Sequence, residues 1–377
     1  MERLVYADNA ATTKMDRAAW EAMEPWLLDE YGNASQPYAF SRKPKKALAD
    51  ARATIADCIG AHPEEIFFTS GGTESDNWVI KSFALYSGRN KTTLTSTFEH
   101  HAVLRSCAAI QRMGHLVTYV SPSHEGYLTP DRLERSITDQ TGLVSVMLVN
   151  NEIGTVQPIG DLCKVAHSHG ALFHTDAVQA VGHIAVDVSK LGVDFLSASA
   201  HKFHGPKGVG FLYIRKGGKL LPYADGGAQE QGLRAGTENV ASIVGMAAAL
   251  RENCHGLAEN QRHILRLEQQ LIQRLRASGI PYVQNGGDAR LPGLLSLSFP
   301  GKDGEAVLHR MDLMGICVST GSACNGTSRG ISHVLQAIGL DEEHAAGTIR
   351  ISLGKNNTEQ DVERIASALN KIVKEST

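Results

Sequence analysis

The feature that most constrains this chain is an alternation, between residues 60 and 215, of short apolar runs with segments of helical spacing. Residues 66–69, 92–98, 143–150, 171–175, 195–199 and 208–214 are short, β-branched or apolar, and bounded by turn residues, which predicts strands. Residues 73–85 and 159–168 fill two of the gaps with helices. Alternation of this kind predicts an α/β fold with a largely parallel sheet covered by helices on both faces.

The pattern changes after about residue 254. Leu257, Ile264, Leu267, Leu271 and Leu275 recur at helical spacing, and two strand-like runs follow at 294–299 and 348–353. A closing helix presents Val362, Ile365, Leu369 and Ile372 on one face, and Thr358 with Asp361 offers it a capping box. This half reads as a smaller α+β domain. At 377 residues the chain is long enough for two lobes with a sizeable core.

Composition narrows the function. Net charge is −3 with mixed signs along the chain, and nothing forms a basic patch, so no direct nucleic-acid partner is expected. The longest near-apolar stretch, 240–250, is too short to cross a bilayer, so no membrane partner is expected either. Residues 1–6 lack the apolar run of a signal peptide, and the expectation is a cytoplasmic protein. The cysteines at 58, 107, 163, 254, 317 and 324 include no C-x-x-C pair, which argues against a zinc site, and no metal is expected.

Three short segments carry chemistry. Ser70-Gly71-Gly72-Thr73 stands between a strand and a helix, where two glycines and a helix start either make a simple turn or receive a phosphate. Asp176 closes the strand at 171–175, at the sheet edge where open α/β sheets bind ligands; it is either a helix cap or the partner of a buried cation, with Gln179 nearby. Ser199-Ala200-His201-Lys202 follows a buried strand and precedes the Gly205-Pro206 turn. A lysine held in such a pocket can lose its proton and form a Schiff base; Lys202 is the candidate and Lys207 its competitor. Together they supply the phosphate cradle, ring-nitrogen acid and lysine that pyridoxal phosphate requires. Arg350 lies in an alternating strand and either grips a carboxylate in the inter-domain cleft or stands on an exposed edge. Cys324 lies in a run from Ser319 to Gly330 with three glycines and several small polar residues, expected to form an exposed, flexible loop.

The sequence resembles the cysteine desulfurases of the NifS type, in the class V aminotransferase group of fold-type I pyridoxal-phosphate enzymes, over nearly its whole length. The matching stretches are Asp8-Asn9-Ala10-Ala11-Thr12-Thr13, Thr69-Ser70-Gly71-Gly72-Thr73-Glu74-Ser75, Glu99-His100, Asn150-Asn151-Glu152-Ile153-Gly154, Asp176-Ala177-Val178-Gln179, His201-Lys202, Arg234-Ala235-Gly236-Thr237 and Gly321-Ser322-Ala323-Cys324. The resemblance implies a large cofactor domain, 13–253, built on a mainly parallel seven-stranded sheet flanked by helices. It implies a small α+β domain, 1–12 with 254–377, carrying the cysteine loop.

It also implies the roles. Lys202 holds the cofactor and moves the substrate's α-proton; Asp176 pairs with the ring nitrogen, Gln179 with the ring hydroxyl, and His100 stacks on the ring. Gly72, Thr73, Ser199 and His201 surround the phosphate, and Thr237 reaches the phosphate of a neighbouring subunit, making a homodimer. Asn151 and Asn33 help to orient the substrate and Arg350 binds its carboxylate. Cys324 takes sulfur from L-cysteine as a persulfide, leaving L-alanine, and passes it to an acceptor protein, an iron–sulfur scaffold or a thiolation enzyme. A selenocysteine lyase or a class V aminotransferase is the alternative on the same fold. The sequence departs from the family at Asn33-Ala34-Ser35-Gln36-Pro37-Tyr38, where the family has Asn-Pro-Ser-Ser-x-His, and in its short stretch after the last helix.

Overall fold

A computed structural model describes residues 3–87, 91–321 and 331–375. After a short β1 (Val5–Tyr6), seven strands form the central sheet: β2 (Ile66–Thr69), β3 (Thr92–Ser96), β4 (Leu116–Val120), β5 (Thr141–Ser145), β6 (Leu172–Asp176), β7 (Phe195–Ser199) and β8 (Gly210–Ile214). Their order is β2-β8-β7-β6-β5-β3-β4. β4, β3, β5, β6 and β7 run parallel, and β8 is antiparallel to both β7 and β2. Except on β4 and at the start of β6, the sheet residues are buried. Such strands have no solvent face, which is why they read as short apolar runs without alternation.

Boundaries differ from the sequence reading in instructive places. β4 was not expected: it is an edge strand with Leu116 and Tyr119 exposed, so it shows no buried run. The strand expected over 143–150 begins at Thr141 and is assigned only to Ser145. Its pairing goes on, since Val146 N–H donates to His174 and Leu148 N–H to the Asp176 carbonyl, 3.1 and 2.8 Å away. The helices Gly72–Ser87 and Ile159–Ser168 fill the expected gaps.

The second core lies beneath β12 (Thr348–Ser352), β10 (Leu294–Ser298) and β9 (Val283–Asn285), an antiparallel sheet in that order. The helices Leu257–Ser278 and Glu359–Glu375 supply its apolar face through Leu267, Leu271, Leu275, Ile365, Leu369 and Ile372. The capping box forms: Thr358 N–H donates to Asp361 Oδ2 at 3.0 Å, and Asp361 N–H to Thr358 Oγ1 at 3.3 Å. β1 pairs in parallel with β11 (Ile316–Cys317), so the N-terminal segment joins this second core. Cys317 is half-buried there rather than fully enclosed. Among the described residues no helix is long and apolar enough to cross a membrane.

The chain runs β3 to β4 outward on one side, then returns to β5 and continues through β6 and β7 on the other. The strand order therefore reverses between β3 and β5, and a crevice opens at the C-terminal strand ends where such a reversal occurs. Leu271→Ala tests the second core. Leu271 is fully buried, and the change should cost about 3 kcal/mol, measured as a fall in the denaturation midpoint.

Candidate active site

A cleft of roughly 460 Å³ occupies that crevice. Its walls carry Gly72, Thr73, His100, Asn151, Asp176, Gln179, Ser199, His201, Lys202 and Arg350, ten positions that the sequence singled out. The strands deliver them: His100 follows β3, Asn151 follows β5, Asp176 ends β6, and Ser199 and Lys202 end and follow β7.

At one end a shallow recess is lined by Ser70, Gly71, Gly72, Thr73, Ser199 and His201. Gly72 and Thr73 are the first residues of their helix, so their N–H groups have no acceptor inside it. The close approach is steric: a Cβ on Gly72 would stand 2.4 Å from Val178 Cγ2, and Gly71 has φ +145°. Glu74 accepts from Ser70 N–H at 3.0 Å and from Arg234 Nε at 3.0 Å, so the Arg-Ala-Gly-Thr motif braces the turn from behind. His201 is held near pH 4 by burial and by the adjacent Lys202 and Lys207 charges, so at neutral pH it is uncharged and can donate one proton. Lys207 is exposed and lines this recess, whereas Lys202 lines the main cleft.

Lys202 Nζ donates to the carbonyls of Ala10 and Ala11 at 2.6 and 2.8 Å. Asp176 is 5% exposed and accepts from Val178 N–H at 2.9 Å. Burial raises its carboxyl, while the His100 and Lys202 charges and the Val178 hydrogen bond oppose the rise. Gln179 Nε2 donates to Ala10 at 2.8 Å. His100 caps the helix His101–Arg112, its Nδ1 accepting from Ala102 N–H, and burial lowers its pKa.

Sequence reasoning missed Asp76. It is fully buried on the first turns of the helix Gly72–Ser87 and lines the same cleft. Asp76, His100 and Asp176 each place a ligand atom within 4.8 Å of the others. Neither Asp76 oxygen has a hydrogen-bond partner among the described residues, and His174 Nε2 stands 3.6 Å away. Burial first, and then the Asp176 charge, push Asp76 well above the usual carboxylate range. His174 is itself held near pH 3 by burial and supplies no countercharge. The one available signal was spacing: Asp76 is four residues after Gly72 and shares its face of the helix.

Arg350 enters from β12, 6% exposed, which rules out the exposed-edge alternative. Its guanidinium donates to Asp8 Oδ1 at 2.8 Å and to the Asn151 carbonyl at 3.0 Å. Its Nε has no partner among the described residues. A buried, partly satisfied guanidinium facing a cleft suits a small carboxylate.

Three candidates stand apart from these walls. Thr237 is exposed and lines neither the cleft nor the recess of its own chain. Asn33 accepts from Ser35 N–H at 2.9 Å within its own loop and does not line the cleft. Cys324 falls in 322–330, outside the described residues. Its flanks are described: Ser332 Oγ donates to Glu152 Oε2, and a Cβ on Gly321 would stand 2.2 Å from that same oxygen. Ser319, the first residue of the cysteine run, exchanges backbone hydrogen bonds with Arg350 and lines the cleft.

A ligand with an anionic end, a protonated aromatic nitrogen and an aldehyde meets recess, Asp176 and Lys202 together, and pyridoxal phosphate is that ligand. The fold and cleft thus define a fold-type I pyridoxal-phosphate enzyme. The model of the Aminotransferase class-V family matches residues 5–365. The cysteine desulfurase IscS of Dictyoglomus turgidum is 46% identical over 99% of this chain and 95% of its own, and that of Methanosarcina thermophila 44% identical over 98% and 92%. Among solved structures, a NifS-like protein superposes with a TM-score of 0.93 at 38% identity, covering 99% of this chain and all of that one. The structure described as SspA in complex with cysteine gives 0.83 at 36% identity, over 94% of this chain and all of its own. The chain belongs to the class-V aminotransferase family and, within it, to the cysteine desulfurases.

Glu152 gives a test of the buried acids. Burial raises it from 4.5 to about 7, against the pull of Ser332 and Arg350. A raised carboxyl adds stability that is complete below pH 4.5 and lost as pH climbs through about 7. Glu152→Gln removes that loss. Between pH 5 and 8 the variant should gain about 3 kcal/mol on the wild-type protein in denaturant titrations.

Proposed function

We propose that this chain releases sulfur from L-cysteine, giving L-alanine and a persulfide on Cys324 that is passed to an acceptor protein. The observation that carries the reading is the convergence of Lys202, Asp176 and Arg350 on one cleft whose rim leads, through Ser319, into the run that bears Cys324. Pyridoxal phosphate, when bound, supplies an electron sink for charge that develops at the substrate's α-carbon.

The chain's own residues do the rest. Thr73, Ser199 and His201, with the N–H groups at Gly72, bind the phosphate end. Asp176 would hold a positive charge at the ring nitrogen, Gln179 would donate toward the ring hydroxyl, and His100 would lie against the ring. Lys202 would tether the cofactor, and its amine, when free, would carry the substrate's α-proton. Its present hydrogen bonds to Ala10 and Ala11 keep the amine at the cleft. Arg350, with Asn151 beside it, takes the substrate carboxylate in place of its bond to Asp8. The Cys324 thiolate attacks the substrate sulfur: an S–S bond forms, the C–S bond breaks, and a proton returned to the β-carbon leaves alanine. Cysteine plus enzyme thiol therefore gives alanine plus enzyme persulfide, with no external oxidant.

Thr237, exposed on its own chain, supports a homodimer in which it reaches the neighbouring subunit's phosphate. Asn33 is assigned to the substrate entrance. A large domain over 13–253 and a small one formed by 1–12 with 254–377 are assigned; Leu291, Leu294, Val334, Leu335 and Ile338 of the second pack in the larger core. The acceptor is an iron–sulfur scaffold or a thiolation enzyme, in the cytoplasm.

Intact mass after cysteine addition should show one added sulfur in the wild-type protein and none in Cys324→Ser; an equal gain in both overturns the assignment. Lys202→Ala should lose the visible cofactor band that borohydride abolishes in the wild-type protein. Arg350→Leu should raise KM for cysteine roughly 30-fold, the loss of about 2 kcal/mol from a charged hydrogen-bonded contact.

A further inference from the structure

Away from the cleft, the thiol of one cysteine meets the backbone of another. Cys58 is the penultimate residue of the helix Arg42–Ile59, and Cys254 that of the helix Val240–His255. These helices pack closely along their lengths. Cys254 Sγ lies 4.0 Å from the Cys58 carbonyl oxygen and donates to it. Both residues are only partly buried, whereas Cys107 and Cys163 are enclosed and Cys317 stands alone on β11. The neighbouring Cys58 thiol lowers the pKa of Cys254, and the Cys254 thiol together with burial raises that of Cys58. One thiol is thus readied as nucleophile with a second in reach to resolve it.

We propose that Cys58 and Cys254 form a redox-active dithiol, separate from the sulfur-transfer chemistry, which closes to a disulfide under a hydroperoxide. The Cys254 thiolate attacks one peroxide oxygen, the O–O bond breaks, and a sulfenic acid and one water result. The Cys58 thiol then attacks that sulfur and expels a second water. Two thiols lose two electrons, and one hydrogen peroxide is reduced to two waters. Gly256 follows Cys254 by two residues and separates the helix Val240–His255 from Leu257–Ser278. The first helix packs in the core under the large sheet and the second in the smaller core. The disulfide therefore ties the end of Arg42–Ile59 to the joint between the two cores.

The test is a peptide map of the full-length holoenzyme after brief hydrogen peroxide treatment and thiol alkylation. Trypsin places Cys58 in peptide 53–81 and Cys254 in peptide 252–262. The expected product is these two peptides joined and two hydrogens lighter than their sum, in both the wild-type and Cys324→Ser proteins, and separated again by dithiothreitol. Cys58→Ser should abolish the link and leave Cys254 as a dimedone-reactive sulfenic acid; Cys254→Ser should abolish the link and leave Cys58 alkylated. The proposal is overturned if both cysteines remain fully alkylated at a peroxide dose that oxidises Cys324, or if either is found joined to a different cysteine. Because the link is read in Cys324→Ser as well, its failure is distinct from failure of the desulfurase assignment.

Discussion

Burial of the Asp176 carboxyl at the end of β6 is the constraint around which the site is organised. Removing a carboxylate from water is costly unless positive charge or hydrogen bonds replace the lost solvent. Here the replacements are one backbone N–H and the nearby Lys202 and His100, and the still more buried Asp76, itself pushed toward its neutral form, offers no positive charge. A carboxyl in this position is poorly satisfied by the chain alone. On the proposed reading a protonated ring nitrogen would supply the positive charge that it lacks. Parallel strands buried on both faces exclude water from behind it, so the central sheet is part of the electrostatics of the site.

Arg350 does for the substrate side what Asp176 does for the cofactor side. It crosses from the second core to the first, bonded to Asp8 of the N-terminal segment and to the Asn151 carbonyl after β5. The Asp8 carboxylate fixes the orientation of the guanidinium, while Nε has no partner among the described residues. Glu152, next to Asn151, joins the far flank of the cysteine run through Ser332, while Ser319 joins the near flank to β12. Arg350 and both flanks of the cysteine run therefore share neighbours in the fold.

Much of this was legible in the sequence, for physical reasons that differ from element to element. β2 and β7 were read at their true bounds because strands buried on both faces are short apolar runs cut off by turns. β4 was not, because an edge strand with Leu116 and Tyr119 in solvent resembles any exposed β-branched stretch. Lys202 and Asp176 were visible from their places after buried strands. Asp76 was invisible because a polar residue in a first helical turn reads as a surface or capping group, and only tertiary packing buries it. The strand carrying Arg350 could have turned the guanidinium either way, and pairing of β12 with β10 settled it. Thr237 and Asn33 entered through resemblance alone, since nothing in their local sequence fixes their surroundings.

The hydrogen bonds from Lys202 to the carbonyls of Ala10 and Ala11 carry a further consequence. That N-terminal strap is anchored to the smaller core through β1, so the Lys202 amine is moored to a segment of the second core. On the proposed reading, in which Lys202 tethers the cofactor, loading would replace this internal tether by a ligand seated in the cleft.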